Sequence, residues 1–315
     1  MRFFISSDIS KNKPLYYAVL FFFLFALLFW FASWIHFYSK YGFSQESLLR
    51  YFFMDPEFPE RISLAQISED LHVGAFLHSI MLITLFSLLN LSPWKQSLKS
   101  SLIIGTSLFM LFYLLSDFTI IYLGVGFVLL KLISFCLYQT AYLLVLLLGF
   151  LGIFKRDKKP RLNILNRIVL FFSIFSLFFI ASNLLNFYTK MGFGPQGVGD
   201  YFLGNPKLFV KGKSFEGVFK IFYPHLLAMT IYSLIIAHLL PFAGLSKKRS
   251  LLLGLSLFVL SFFENLSSLL LLYVGSSFVY FKLLGFWLLQ ISLLFASFVL
   301  LRASLKKDVY PSLYL

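Results

Sequence analysis

The chain has 315 residues, 59% of them apolar and only 13% charged, with a formal net charge of +14. At a mean hydropathy of +0.86 a soluble domain would have no polar surface left for water, so the composition excludes soluble classes and implies a membrane protein. The positive balance does not point to nucleic acid, because the basic residues lie in short stretches between apolar runs, where they set the orientation of insertion.

Arg2, Lys11 and Lys13 precede an apolar run from Leu15 to Ile35. At about 20 residues this run is longer than a signal-peptide core, and no small-x-small site follows it, so it reads as a retained first helix. A bilayer crossing needs about 20 apolar residues. On that basis the sequence predicts eight transmembrane helices, at 15–36, 69–92, 99–122, 127–153, 164–187, 219–243, 249–273 and 277–302. Long loops at 37–68 and 188–218 separate some of them, and the Gly-rich stretch 190–200 reads as a flexible outer loop. Tight Gly-containing turns lie at 123–126 and 274–276, and basic connections at 94–99, 155–161 and 246–249. The N-terminus, these connections with Arg167, and the C-terminal tail hold 17 of the 27 Lys and Arg residues. Basic segments stay on the cytoplasmic side. The expected location is therefore the cell (inner) membrane, with both termini cytoplasmic and both long loops outside.

The chain repeats itself. His36-Phe37-Tyr38 matches Asn186-Phe187-Tyr188, and KYGF (40–43) matches KMGF (190–193). Tyr51-Phe52 with Asp55-Pro56 matches Tyr201-Phe202 with Asn205-Pro206. Gly105 and Ser107-Leu108-Phe109 match Gly254 and Ser256-Leu257-Phe258, and Tyr122, Gly124, Lys131 and Gln139 match Tyr273, Gly275, Lys282 and Gln290. Loop and polar matches do not arise from hydrophobicity alone. The expected fold is all-α and integral to the membrane, with eight transmembrane helices as two parallel four-helix repeats. The units are 1–154 and 162–315, joined by the basic linker 155–161. Four crossings per unit make both copies enter in the same direction, about a pseudo-two-fold axis along the membrane normal.

Inside the spans, Asp117 lies seven residues before Gly124 and Lys131 seven after it. At about 1.5 Å per residue both sit about 10 Å below the turn, so a charge pair across the hairpin is geometrically natural. Lys282 repeats Lys131, with Glu264 about one turn deeper. Intramembrane charges pair or face a polar cavity, so these two pairs are hairpin staples or the lining of a path. His36 ends the first helix, His72 and His78 lie early in the second, and His225 and His238 lie in the sixth. His72 and His78 differ by about 120° of azimuth, so a ligand would have to be bridged between helices. Glu69 and His72, three apart, share a face. Cys136 is a single cysteine within a span and makes no redox or metal motif. No P-loop, HExxH, GxSxG or GxGxxG motif stands in its structural context, so no catalytic residue and no metal site is assigned.

Lys213-Ser214-Phe215 followed by His225, Met229 and His238 resembles bacterial four-helix, histidine-bearing inner-membrane proteins of the b-type cytochrome kind, here duplicated in tandem. The resemblance implies haem b as cofactor, with His36, His72, His78 and His225 as candidate ligands, in an electron-transfer subunit. Two other classes remain open: a transporter or permease with an outward-facing polar cavity lined by Asp117, Lys131, Glu264 and Lys282, and a non-catalytic subunit. The latter would dock a membrane or periplasmic protein through loops 37–68 and 188–218.

Overall fold

The computed structural model describes residues 13–54, 62–153 and 162–306. Eight helices are long and apolar enough to cross a membrane. In chain order the helices are α1 (Lys13–Tyr41), α2 (Gln45–Phe53), α3 (Leu64–Leu91), α4 (Gln96–Leu123), α5 (Leu129–Ile153), α6 (Leu162–Met191), α7 (Pro195–Leu203), α8 (Phe215–Leu239), α9 (Lys247–Val274) and α10 (Val279–Leu305). The short α2 and α7 do not cross; the other eight are the predicted spans, all but α5 extended at one or both ends. The linker 155–161 lies outside the described residues.

In lipid a backbone amide has no water to bond, so an apolar run of this length closes its hydrogen bonds within a helix. Hydrophobicity then cannot decide which face turns inward, because lipid tails are as apolar as leucine. Small and polar residues decide it. Ser79, Thr106, Ser107, Ser134 and Ser297 are buried, while Phe25, Phe31, Leu255 and Phe298 are exposed to the surroundings. Many of the serines are satisfied within their own helix, as Ser79 Oγ is by Phe76 O at 2.9 Å and Ser134 Oγ by Lys131 O at 3.1 Å.

The chain divides into two compact units, Met1–Phe172 and Ser173–Leu315. In the first, α4 and α5 form a tight hairpin and α5 also packs on α1 and α3. Trp30 Nε1 donates to Gln139 O at 3.0 Å and Tyr142 Oη to Ala26 O at 3.1 Å, tying α1 to α5. In the second, α8, α9 and α10 pack in sequence and α7 lies on α10. Gly254 brings α9 close to α8: a Cβ there would lie 3.0 Å from that of Ala237, the close approach that small residues permit between membrane helices.

Two stretches expected to be loops are partly helical. The stretch 190–200 is not a flexible loop: α6 runs to Met191, and α7 starts at Pro195 with Val198 and Phe202 buried. Proline fits the first turn because its missing amide would be unpaired there anyway. Within 37–68, α2 opens on a capping box in which Ser47 N donates to Ser44 Oγ at 3.1 Å and Ser44 N to Ser47 Oγ at 3.2 Å. Leu48 and Phe52 are its buried face. Helices of nine residues are too short for a hydropathy window to detect, and they form because tertiary contacts hold them. A two-stranded hairpin, β1 (Gly204–Asn205) with β2 (Val210–Lys211), follows α7.

The two units repeat each other in detail. Phe37 stacks on Phe135 with centroids 4.0 Å apart, and Phe187 on Phe286 at 3.9 Å. Gly42 and Gly192 adopt φ of +66° and +65°, turning the chain from the long helix into the short one. Both α4 and α9 have 28 residues and end at Gly124 and Gly275. The match of Gly105 and Ser107-Leu108-Phe109 with Gly254 and Ser256-Leu257-Phe258 is therefore two residues out of register. In Leu- and Phe-rich helices such short matches recur by composition. In the correct register, Glu264 stands where the first unit has Tyr113, and Ser268 where it has Asp117.

Candidate functional site

Two charge pairs inside the first unit lie toward the α2 end. Lys131 Nζ lies 2.6 Å from Asp117 Oδ1, and both side chains are over nine-tenths buried. The contact is a charge pair rather than an aligned hydrogen bond, and Lys131 Nζ also donates to Tyr113 O at 3.4 Å. The ammonium sits 4.1 Å from the centre of the Tyr113 ring and 5.2 Å from that of Tyr41. Aromatic faces carry negative charge and solvate a cation that has lost its water.

A second pair also lies beside Tyr41. Lys40 Nζ is 2.5 Å from Asp70 Oδ1 and 5.3 Å from the Tyr41 ring centre. Asp70 also accepts from Tyr51 Oη at 3.2 Å and from Gln66 Nε2 at 3.2 Å. Burial, and then the Asp70 carboxylate, push the Tyr51 phenol well above its ordinary pKa, so Tyr51 stays a donor. Two ammonium groups thus lie near one tyrosine ring, each with its own carboxylate. Above them an open groove of about 930 Å³ is lined by Tyr38, Lys40, Phe43, Glu46, Arg50 and Tyr51.

Deeper along α4 and α5 the interior stays polar. The Tyr138 ring lies parallel to that of Tyr113, with centroids 6.2 Å apart. Tyr138 Oη, Ser107 Oγ, Thr106 Oγ1 and Asn90 Oδ1 are buried without a hydrogen-bond partner among the described residues. Leaving such a group unpaired costs about 1–3 kcal/mol, so each calls for water or a mobile partner. At the far end Lys99 Nζ donates to Asn90 O at 2.9 Å and Ser92 O at 2.7 Å, closing the C-terminus of α3.

The second unit keeps the lysine and moves the acid. Lys282 Nζ donates to Glu264 O at 3.1 Å, the backbone position equivalent to Tyr113 O, and pairs with Glu264 Oε1. Asn265 Nδ2 donates to Ser261 O at 2.8 Å, and Ser261 and Ser233 share a hydrogen bond of 3.3 Å between α9 and α8. The lysine to i−18 carbonyl bond is common to both hairpins; the carboxylate is displaced by one turn.

The four candidate haem ligands lie on three helices, α1, α3 and α8. His36 is on the exposed face of α1 and His72 is half-buried on α3. His78 Nδ1 engages Gly74 O of its own helix at 2.9 Å, and its ring packs on Phe29 and Tyr138 at 5.6 and 5.2 Å. His225 Nδ1 likewise engages its own helix at Ile221 O, 2.9 Å. The only other histidine of the second unit, His238, lies on the same helix 13 residues away, about 20 Å along the axis, so this unit contains no facing pair. The Nδ1 contacts do not engage Nε2 of His78 or His225, the nitrogen a haem ligand would use, but no second imidazole faces His225 from within its unit. A reduced-minus-oxidised visible spectrum of protein produced with ample haem is expected to be flat; a Soret band that shifts on reduction would show that these histidines hold haem. Among the described residues, no group of three His, Cys, Asp or Glu side chains is placed to hold a metal ion.

Sequence reasoning singled out Asp117, Lys131, Glu264 and Lys282, and missed Lys40, Tyr41, Tyr51, Asp70, Tyr113 and Tyr138. Asp70 turns inward while its neighbour Glu69 is exposed. The available signal was the lysine at the end of α1 and the acid in the early turns of α3, two charges with no reason to sit at a membrane boundary unless paired.

A family model described as a transmembrane helical domain, Aq_1264_TM, matches the chain twice, at residues 42–160 and 192–310. Together the two matches cover about three quarters of the sequence. The chain belongs to this family, as a tandem pair of its domains. Each Aq_1264_TM match begins at the glycine turn, Gly42 or Gly192, and takes in the short surface helix and three crossing helices, leaving α1 and α6 outside. The stacks of Phe37 on Phe135 and Phe187 on Phe286 show that these two helices belong to the repeat as well. No curated protein and no solved structure matches the chain.

Proposed function

We propose that this tandem membrane protein is a transporter that moves protons through the interior of its first unit. The observation that carries the reading is the number of buried polar groups that α1, α3, α4 and α5 hold inside the first unit. Lys40–Asp70 lies under the groove, Asp117–Lys131 lies behind Tyr41, and the unpartnered oxygens of Tyr138, Ser107, Thr106 and Asn90 lead on toward the far end. Ionisable groups within spans are expensive and mark ion and proton routes. The interior around them is packed with rings and hydroxyls, which suits a proton passed along hydrogen bonds better than a solute of any size. With the basic connections in the cytoplasm, the groove is the outer mouth. In the second unit Glu264–Lys282 joins α9 to α10, and its role is to pin that hairpin.

The test is proton flux into proteoliposomes loaded with a pH-sensitive dye, driven by a potassium diffusion potential. Wild-type protein is expected to exceed empty liposomes by at least about tenfold, equivalent to about 1.4 kcal/mol of barrier. Tyr138→Phe, which removes one hydroxyl and keeps the ring, is expected to lose most of that rate. Wild-type flux no greater than that of empty liposomes would remove the reading and leave the buried charges as hairpin staples.

A further inference from the structure

The hairpin between α7 and α8 has a tip that nothing in its own unit covers. Leu208 is 62% exposed and Phe209 97%, and Phe209 is held at φ +55° in the left-handed region. A bulky non-glycine residue there is uncommon and points to a function of the tip. Lys207, Lys211 and Lys213 surround it, all exposed. No acid occurs between Asp200 and Glu216. The tip is also held firmly. Lys213 N donates to Phe202 O at 2.9 Å, and the Lys213 ammonium lies 4.5 Å from the centre of the Tyr201 ring. Gly204 and Gly212 let the strands close: a Cβ on Gly204 would lie 2.5 Å from Gly212 N.

The other half supplies the contrast. Where the second repeat reads NPKLFVK (205–211), the first reads DPEFPER (55–61). Asp55 stands against Asn205, Glu57 against Lys207 and Glu60 against Val210, so one copy is acidic and the other basic around a shared Pro. A solvated turn has no need of an apolar tip ringed by lysines, whereas a membrane interface rewards both. The apolar residues enter the acyl boundary, and lysine stems lie along it with their ammonium groups among phosphates. The hairpin also leads straight into a crossing helix whose first turns expose Phe215 and Phe219, an aromatic belt at headgroup level.

We infer that the 204–213 hairpin is a binding site for anionic phospholipid headgroups, with Leu208 and Phe209 inserted in the leaflet and Lys207, Lys211 and Lys213 on the phosphates. The inference does not depend on proton movement. For the test, full-length protein carrying Cys136→Ser and Leu208→Cys, with an environment-sensitive fluorophore on the single thiol, is placed in lipid nanodiscs. With phosphatidylglycerol, the emission is expected to shift to the blue, and a spin-labelled lipid should quench it. Phosphatidylcholine should leave the label in water. Native mass spectrometry should show retained phosphatidylglycerol falling about fivefold for each of the three lysines replaced by glutamine. A label that reports water in both lipids overturns the site, and equal protection in both overturns the headgroup assignment. Protection that appears only when two protein copies share a disc would instead make the tip a protein-docking surface.

Discussion

Lys131→Met alone is expected to destabilise the protein by about 3–5 kcal/mol, because it leaves the Asp117 carboxylate buried without a counter-charge. The lysine is 2% exposed and lies between the Tyr113 and Tyr41 rings, so water cannot enter to replace it. The double variant Asp117→Asn/Lys131→Met removes both charges and keeps the volumes, and is expected to recover most of the loss, since neutral pairs of similar shape often replace buried ion pairs without cost. Unfolding by SDS in mixed micelles measures both. The same double variant separates structure from function: it should fold, and in proteoliposomes its proton flux should fall to the level of empty vesicles. A double variant as unstable as Lys131→Met would show that the ammonium acts through its rings and the Tyr113 carbonyl rather than through Asp117. Exchanging the two charges, with Lys at 117 and Asp at 131, should keep expression if the pair is only a staple.

Phe37→Ala is expected to cost about 3–5 kcal/mol, the range for truncating a buried aromatic. Phe37 is 1% exposed, stacks on Phe135 at 4.0 Å and lies parallel to Phe43 at 5.8 Å, so its ring joins α1, α5 and the turn into α2. The loss should therefore appear locally as well. Limited proteolysis of the variant in nanodiscs is expected to cut within residues 42–53, where the wild type resists. Phe187→Ala should do the same to α7 in the second unit, because Phe187 stacks on Phe286 at 3.9 Å and on Phe193 at 6.1 Å. If both variants stay within about 1 kcal/mol of wild type and resist the protease, the short helices are held by something other than these stacks.

Both expectations rest on a repeat whose chemistry has drifted. The lysine and the carbonyl it meets are kept in both hairpins, while the acid has moved from the position of Asp117 to that of Tyr113, one turn away. An arm that reaches about 6 Å can follow a carboxylate over one turn of about 5.4 Å, so the pair survives the displacement. Asp70 links Lys40 and Tyr51 in the first unit, whereas at Tyr201 in the second Lys213 meets the ring directly. The first unit therefore carries the Lys40–Asp70–Tyr51 cluster, and the second the basic hairpin.

The sequence by itself determined the class, the eight crossings and the duplication. Apolar runs of bilayer length can satisfy their backbones only as helices, and loop residues such as KYGF and KMGF repeat for reasons that hydrophobicity does not supply. It also placed Asp117 and Lys131 at one depth, because counting residues from a turn measures height along a helix. Azimuth, register and short amphipathic pieces were decided only in the tertiary structure. Lipid-facing and interior surfaces are both apolar, so the pattern cannot say that Asp70 turns inward, that Tyr113 rather than a histidine meets the buried lysine, or that α4 and α9 align at their glycine ends. Nor does the pattern say where the histidines point: His78 and His225 engage their own helices through Nδ1, and His36 faces outward. Depth follows from the chain; direction around a helix follows from what packs against it.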